Sequence, residues 1–195
     1  LIKDINSNKY YLPAIQRKFV WGEENICRLF NSIMRDYPIG TFLFWELTAK
    51  KADEYTFYEF LKNYHERDSK NRLVKHNFPS DIRGVLDGQQ RISSMYIALQ
   101  GVYCTKKKYA QIANNDAYPE REMYVNLLND DFEFKFLTDD NAQNSKNGYF
   151  YLVRNILNEL EDHDVDSDNI VDDLIEKDPS RSDLLIENRK QAKRI

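Results

Sequence analysis

The residues with the clearest chemical potential are 87–91, Asp-Gly-Gln-Gln-Arg. They separate an apolar, strand-like run at residues 82–86 from an amphipathic, helix-like run at residues 92–104. A glycine at a strand-to-helix turn lets the backbone approach a ligand closely, and the first N–H groups of the following helix attract an anion. The pattern therefore predicts a phosphate-binding turn.

The side chains of this stretch fit the same chemistry. Arg91 carries a planar set of donors suited to phosphate oxygens, and the amides of Gln89 and Gln90 can donate and accept. Asp87 can hold a metal ion, orient a water or cap the helix. Because an Asp-Gly pair before a helix is also an ordinary cap, local physics alone leaves capping and ligand binding as equal alternatives.

Two further blocks accompany this one and favour ligand binding. Residues 12–21 are Leu-Pro-Ala-Ile-Gln-Arg-Lys-Phe-Val-Trp, residues 37–41 are Tyr-Pro-Ile-Gly-Thr, and residues 86–94 are Leu-Asp-Gly-Gln-Gln-Arg-Ile-Ser-Ser. Together they resemble the N-terminal domain of the GmrSD-type modification-dependent restriction enzymes, a bacterial family related to the ParB/sulfiredoxin-like nucleotide-binding fold. The resemblance covers roughly residues 1 to 137 and fades from residue 161 onward.

The resemblance implies that the first and third blocks line one nucleotide pocket. Arg17 and Arg91 would contact the phosphates, while Gln89 or Gln90 orients the attacking water and Asp87 positions Mg²⁺ or a glutamine. The expected phosphate-binding residues are Gln16, Arg17, Gly88, Arg91 and Ser93, and the expected catalytic residues are Asp87, Gln89 and Gln90. Ile15 stands where the family often has a tyrosine, so no aromatic ring is available there to stack on a base.

We therefore expect a nucleotide-binding and NTP-hydrolysing regulatory module of a DNA-restriction, anti-phage defence protein, with a nucleoside triphosphate and Mg²⁺ as ligands. Relatives commonly continue into a C-terminal HNH-type nuclease domain, so modified DNA would be a partner of the full-length protein. The three histidines lie far apart in sequence, so this chain is not expected to cut DNA. Two alternatives stay open: a ParB-like domain that binds or cleaves DNA directly, and a non-enzymatic interaction scaffold.

Composition and charge constrain the partners further. The chain has 195 residues, 42% of them hydrophobic, which suffices for a sizeable core. The formal net charge of −4 argues against a surface that binds nucleic acid indiscriminately. Lysines 106–108, residues 70–75 and residues 189–194 are basic, but few aromatic residues interleave with them, so they predict solvated surface. Neither a membrane span nor a secretory signal is apparent, which predicts a cytoplasmic protein.

The apolar periodicity predicts an α+β fold: a ParB/sulfiredoxin-like small mixed β-sheet flanked by helices, with a C-terminal helical extension. Predicted helices span residues 23–37, 57–64, 91–104, 150–161, 168–177 and 181–195. Predicted strands span residues 41–47, in the middle of the sheet, and 82–86, with a hairpin formed by 123–128 and 132–137. A nucleotide-binding domain at residues 1–148 would precede a truncated helical extension at residues 149–195.

Two metal-like features are rejected on chemical grounds. Alternating aspartates resemble a calcium loop, but Ser167 replaces the turn glycine and the last ligand is Asp173, where a bidentate glutamate is required. The alternating residues are Asp162, Asp164, Asp166 and Asp168. Cys27 and Cys104 have neither zinc-site nor redox-motif spacing, so they are expected to be buried free thiols. No metal ligands are assigned.

Overall fold

The structure, a computed structural model, describes residues 1–75, 78–129, 131–146, 148–159, 171–172, 174–176 and 182–193. The helices are α1 (Ile2–Asn6), α2 (Glu23–Met34), α3 (Ala49–Ala52), α4 (Gln89–Gln100), α5 (Asp139–Gln143), α6 (Val153–Glu159), α7 (Ser182–Glu187) and α8 (Arg189–Ala192). The strands are β1 (Tyr10–Pro13), β2 (Leu43–Leu47), β3 (Phe57–Tyr58), β4 (Tyr64–His65), β5 (Ile82–Asp87), β6 (Tyr103–Cys104), β7 (Glu122–Asn126), β8 (Phe134–Leu137) and β9 (Phe150–Leu152). The predicted α+β class, with a small mixed sheet and flanking helices, is confirmed.

The chain forms two compact units. The first comprises Leu1–Gly22 and Ile39–Tyr118, and the second comprises Glu23–Pro38 and Pro119–Ile195. The predicted boundary at residue 148 falls inside the second unit and stays a prediction. No helix among the described residues is long and apolar enough to cross a membrane.

The first unit is built on a four-stranded sheet in the order β2-β5-β1-β3. β1 and β5 run parallel, whereas β2 and β3 are antiparallel to their neighbours. On one face Tyr10, Leu12 and Val85 pack against residues of α1 and α4. On the other face Tyr11 and Ile82 pack against residues of α3. Because both faces of the central strands are covered, their sequences are apolar at successive positions.

The first unit corrects two predicted elements. Residues 41–47 were expected in the middle of the sheet, but β2 is an edge strand and Leu43 is 56% exposed. Its sequence is apolar because Phe44 and Trp45 pack into the clusters on opposite faces of the sheet. Residues 57–64, predicted as a helix, instead contribute strands β3 and β4, because β3 pairs with β1 and β4 pairs with β6.

The helix that follows residue 88 is also shorter than predicted. It ends at Gln100, where Gly101 takes an extended conformation, and Tyr103 and Cys104 continue as strand β6. A side chain at residue 101 would overlap the Lys62 carbonyl, so the backbones approach too closely there for any residue but glycine. Tertiary contact therefore ends the helix before its apolar periodicity does.

The second unit contains the antiparallel sheet β8-β7-β9. The predicted hairpin is confirmed, with the narrower bounds of β7 and β8, and Phe30 of α2 packs on Phe134 with ring centroids 5.6 Å apart. The predicted helix at 150–161 begins with β9 and becomes helical only in α6. The alternating aspartates and half of the predicted helix at 168–177 lie outside the described residues.

Candidate phosphate site at the start of helix α4

The strand-turn-helix arrangement of residues 82–100 is as predicted. β5 ends at Asp87, Gly88 has a left-handed conformation with φ of +87°, and α4 begins at Gln89. A Cβ atom on residue 88 would also overlap the ring of Phe42, so glycine is required for both conformation and space. Gly88 has no side chain to cap the helix, so it leaves the first N–H groups of α4 without a side-chain acceptor from the cap residue.

Three glutamine side chains join the first and third sequence blocks. Gln90 binds the loop that follows β1 twice, because its Nε2 donates to the Lys18 carbonyl at 3.0 Å and its Oε1 accepts from the Val20 N–H at 2.9 Å. Gln89 Nε2 donates to the Arg17 carbonyl at 2.7 Å. Gln16 Nε2 donates to the Leu86 carbonyl at 3.0 Å. The first unit thus brings the two blocks together, as the resemblance implied.

Burial distinguishes the glutamines from the residues they hold. Gln89 and Gln90 are only 6% and 7% exposed, so their amides form buried hydrogen bonds that hold the backbone of residues 17–20 in place. The hydrogen bond to Arg17 uses the Nε2 of Gln89, so the Oε1 of the same amide remains an acceptor. Arg17 and Lys18 are exposed, and their side chains make no hydrogen bond or ion pair within the described part of the chain.

Arg91 connects the second sequence block, residues 37–41, to the start of α4. Its guanidinium donates from Nη1 to the Ile39 carbonyl and from Nη2 to the Thr41 carbonyl at 2.6 Å. It also lies 4.8 Å from the ring centroid of Phe42 and pairs with the Asp87 carboxylate at 3.3 Å. Two donor groups expected to face phosphate therefore bind protein carbonyls. Whether Arg17 and Arg91 share one anion stays a prediction.

The neighbouring serines are buried within α4. Ser93 is 2% exposed and Ser94 is inaccessible, and Ser94 Oγ has no hydrogen-bond partner among the described residues. The Asp87 carboxylate, by contrast, is 64% exposed and remains accessible to a cation. No group of three or more His, Cys, Asp or Glu side chains converges as a metal site within the described ranges. Any Mg²⁺ at Asp87 would therefore require ligands from phosphate oxygens and water.

Comparison with known proteins identifies the family. Residues 1–193 match the family described as the N-terminal domain of the GmrSD restriction endonuclease. The chain belongs to this family. An uncharacterized protein of Methanocaldococcus jannaschii is 33% identical over 99 residues, which are 51% of this chain and 16% of that protein. The chain thus spans about a sixth of that relative's length.

The family description is that of one domain of a restriction endonuclease. The role of residues 39–42 was not apparent from the sequence: they supply two carbonyl groups and one aromatic ring to Arg91. The sequence feature that could have indicated this role is Gly40. Its φ is also +87°, and a Cβ atom added at residue 40 would overlap the Arg91 guanidinium. A glycine in a short turn can indicate a close approach of the backbone to another group, but that group is visible only in three dimensions.

A separate cavity of about 500 Å³ lies at the start of β5. Its charged groups are already engaged, since Arg83 Nε pairs with Glu46 Oε1 at 2.9 Å and Asp81 Oδ1 accepts from the Ala49 N–H at 3.0 Å. None of the residues from the three sequence blocks lines it. We therefore place the candidate site at the start of α4.

Proposed function

We propose that this domain binds a nucleoside triphosphate at the start of α4 and acts as the nucleotide-dependent regulatory module of a restriction protein. The proposal rests mainly on the hydrogen bonds by which Gln89 and Gln90, in the first turn of α4, hold the backbone of residues 17–20. This arrangement places the exposed residues Arg17 and Lys18 on a loop held next to helix N–H groups that lack an intrahelical acceptor. Helix N-termini and basic side chains are a recurrent phosphate-binding combination.

The proposed roles follow from which groups remain available. Arg17 supplies charge to the phosphates, with Lys18 as a second cation. Asp87 would hold Mg²⁺, which would supply positive charge to the phosphates, and the Oε1 of Gln89 would accept a hydrogen bond from the attacking water. Four residues position the binding loops: Gln16, Gly88, Gln90 and Arg91. Ser93 is buried one turn after the start of α4, so its proposed role is packing beneath the site and not contact with the phosphates.

The hydrolytic step in this proposal is attack of that water on the terminal phosphorus. The bond from this phosphorus to the bridging oxygen breaks, and inorganic phosphate and the nucleoside diphosphate leave. Positive charge from Arg17 would stabilise the charge on the transferring phosphoryl group, and Mg²⁺ held by Asp87 would add to that stabilisation. The nucleotide state would then control a nuclease domain elsewhere in the full-length protein.

A second candidate is direct binding of DNA by the same loop. Ile15 and Val20, which flank Arg17 and Lys18, are 82% and 61% exposed. Exposed apolar side chains beside cations are more typical of a surface that binds a macromolecule than of a site that binds a free nucleotide. A ParB-like nuclease acting at this site belongs to the same alternative.

Calorimetry with ATP, GTP, CTP and UTP, each with and without Mg²⁺, tests the first candidate. Loss of one charge-assisted phosphate contact is worth about 1.5–3 kcal/mol, so Arg17→Ala should weaken nucleotide binding roughly tenfold to a hundredfold. Arg72→Ala is the matched control, because Arg72 is a 78% exposed arginine of the same unit. Both variants should keep the parental melting temperature.

Phosphate release measured with the nucleotide that binds tests the hydrolytic step. Asp87→Asn should reduce release more than it reduces binding, because the carboxylate acts through Mg²⁺ on the transferring phosphoryl group. Absence of binding to all four nucleotides would refute the first candidate. Binding of a DNA duplex that is lost with Arg17→Ala, in the absence of nucleotide, would support the second.

A further inference from the structure

The loop between β6 and the 3-10 helix at Asn115–Ala117 is firmly built although it lies at the surface. Arg67 donates from Nη1 to the Ile112 carbonyl at 3.0 Å and from Nη2 to Asn115 Oδ1 at 2.9 Å. Its guanidinium lies 5.0 Å from the ring centroid of Tyr118, whose hydroxyl also donates to the Ile112 carbonyl at 3.3 Å. Arg67 and Tyr118 therefore hold the C-terminal end of the loop, at Ile112 and Asn115, against the rest of the first unit.

Most of this loop, residues 105–112, which we call the lysine loop, is stabilised by hydrogen bonds of its own residues. Lys107 N–H donates to the Ala117 carbonyl at 2.7 Å, and Ala110 N–H donates to the Lys107 carbonyl at 3.1 Å. Lys106 Nζ donates to the Ala110 carbonyl at 3.0 Å. One of the three lysines thus stabilises the loop through its side chain, and the side chains of the other two make no hydrogen bond or ion pair to a described residue.

The lysine loop exposes both apolar and basic side chains to solvent. Tyr109 is 90% exposed and Ile112 is 65% exposed, whereas Lys107 and Lys108 are both exposed with no ion pair to a described residue. Tyr109 has a φ of +66°, a left-handed conformation that is uncommon for a bulky residue. The backbone therefore holds an aromatic side chain outward, with Lys108 Nζ 5.2 Å from its ring centroid.

We propose that the lysine loop binds duplex DNA, with Lys107 and Lys108 on phosphates and Tyr109 and Ile112 in the minor groove. Residues 105–115 contain three lysines and no acidic residue, and the nearby Glu66 carboxylate accepts a hydrogen bond from the Lys106 N–H at 2.7 Å at the base of the loop, so the basic charge at the tip is complementary to a polyanion. This local excess stands out from a chain whose net charge is −4. Apolar side chains that wedge into the minor groove between base steps are a known feature of duplex-binding proteins.

The structure favours a duplex over a single strand. Single-strand binders stack successive bases on several aromatic side chains, whereas the lysine loop offers one ring and one aliphatic wedge. The sequence alone predicted solvated surface here because aromatic residues are sparse around the lysines. The tertiary structure agrees that this segment is at the surface, and it adds an aromatic residue, Tyr109, that is 90% exposed beside the lysines. The inference is independent of nucleotide binding, because no residue of the lysine loop belongs to the start of α4.

Fluorescence anisotropy with a labelled DNA duplex, without nucleotide and over a series of salt concentrations, tests the proposal. Each phosphate contact contributes a slope of about −0.9 to the plot of log affinity against log salt, so Lys107→Gln and Lys108→Gln should each reduce the slope by about that amount. Tyr109→Ala should weaken binding roughly tenfold and leave the slope unchanged, because it removes an uncharged contact. Tyr109→Phe, which keeps the ring, should bind like the parental chain.

Lys50→Gln provides the matched control, since Lys50 is an exposed lysine on α3 in the same unit. It should leave both affinity and slope unchanged, and all variants should keep the parental melting temperature. The proposal is overturned if the parental chain does not bind the duplex at low salt, or if the lysine loop variants bind with parental slopes. Tighter binding of the corresponding single strand, abolished by Tyr109→Ala, would overturn the duplex assignment in favour of a single-strand site.

Discussion

The two hydrogen bonds of Gln90 allow a sharp test of how the first and third sequence blocks are joined. Gln90→Glu changes the donating Nε2 into an oxygen and leaves the rest of the side chain the same size. One carboxylate oxygen can still accept from the Val20 N–H. The other would face the Lys18 carbonyl oxygen at the position where the amide now donates at 3.0 Å. The substituted site therefore requires either two acceptors in contact or a protonated carboxyl group.

The second option sets the size of the effect. A protonated carboxyl group keeps both hydrogen bonds, but protonating a glutamate of ordinary pKa about 4.3 at pH 7 costs about 3.7 kcal/mol. The lower bound is the loss of one hydrogen bond, about 1 kcal/mol. We expect the free energy of unfolding to fall by about 3 kcal/mol at pH 7, because Gln90 is only 7% exposed and water cannot easily separate the two oxygens.

The pH dependence has a definite sign. The folded state favours the protonated form, so the folded-state pKa of the introduced carboxyl group is raised above its unfolded value. The destabilisation is therefore small below pH of about 4.3 and grows as pH rises toward the folded-state pKa. Gln90→Met, which removes both hydrogen bonds without adding charge, should cost about 2 kcal/mol at every pH.

The assay is urea unfolding followed by tryptophan fluorescence between pH 4.5 and pH 8, with each variant compared with the parental chain at the same pH. Trp21 and Trp45 are the two tryptophans of the chain and both lie in the first unit, so the signal reports the unit that contains Gln90. Gln111→Glu supplies the same charge at an exposed position and should cost little. A pH-independent loss for Gln90→Glu, or a loss equal to that of Gln111→Glu, would refute the reasoning.

Three further predictions concern other side chains. Arg91→Ala should lower the free energy of unfolding of the first unit by about 2–4 kcal/mol, since charge-assisted bonds to two carbonyls and a contact with Phe42 are lost; the same fluorescence assay measures it, and a loss no larger than that of Arg72→Ala would contradict it. Ser94→Ala should raise that free energy by up to about 1 kcal/mol, because its buried hydroxyl has no partner in the described structure and alanine favours helix; a fall would show that the hydroxyl is bonded. Cys27 is half-buried, and desolvation together with the charge of Glu23 raises the pKa of its thiol to about 12, so labelling of Cys27 by a disulfide reagent at pH 8 should be far slower in the folded chain than in urea; equal rates for Cys27 would contradict the raised pKa.

Local patterns determined much of the fold because they depend on short-range periodicity. The run at residues 82–86, the glycine after it and the helix that follows were predictable from alternation, conformational freedom and amphipathicity. The hairpin around β7 and β8 and most of α2 followed in the same way. The family and the proximity of the first and third blocks were predictable because ordered motifs carry information beyond composition.

Where the sequence misled, long-range contacts were responsible. The position of β2 at the sheet edge depends on which strand pairs with β5, and the end of α4 depends on the Lys62 backbone passing Gly101. Neither partner is near in sequence, so no local pattern encodes it.

The site shows the same division between residue type and tertiary role. That residues 87–91 are polar and follow a strand was evident from the sequence, and so was their capacity to donate and accept hydrogen bonds. Which acceptors they use depended on where residues 17–20 and 39–41 lie in the folded unit: Gln90 binds Lys18 and Val20, and Arg91 binds Ile39 and Thr41. A buried donor takes the nearest acceptor that the fold provides, because leaving it unpaired costs more than any local preference.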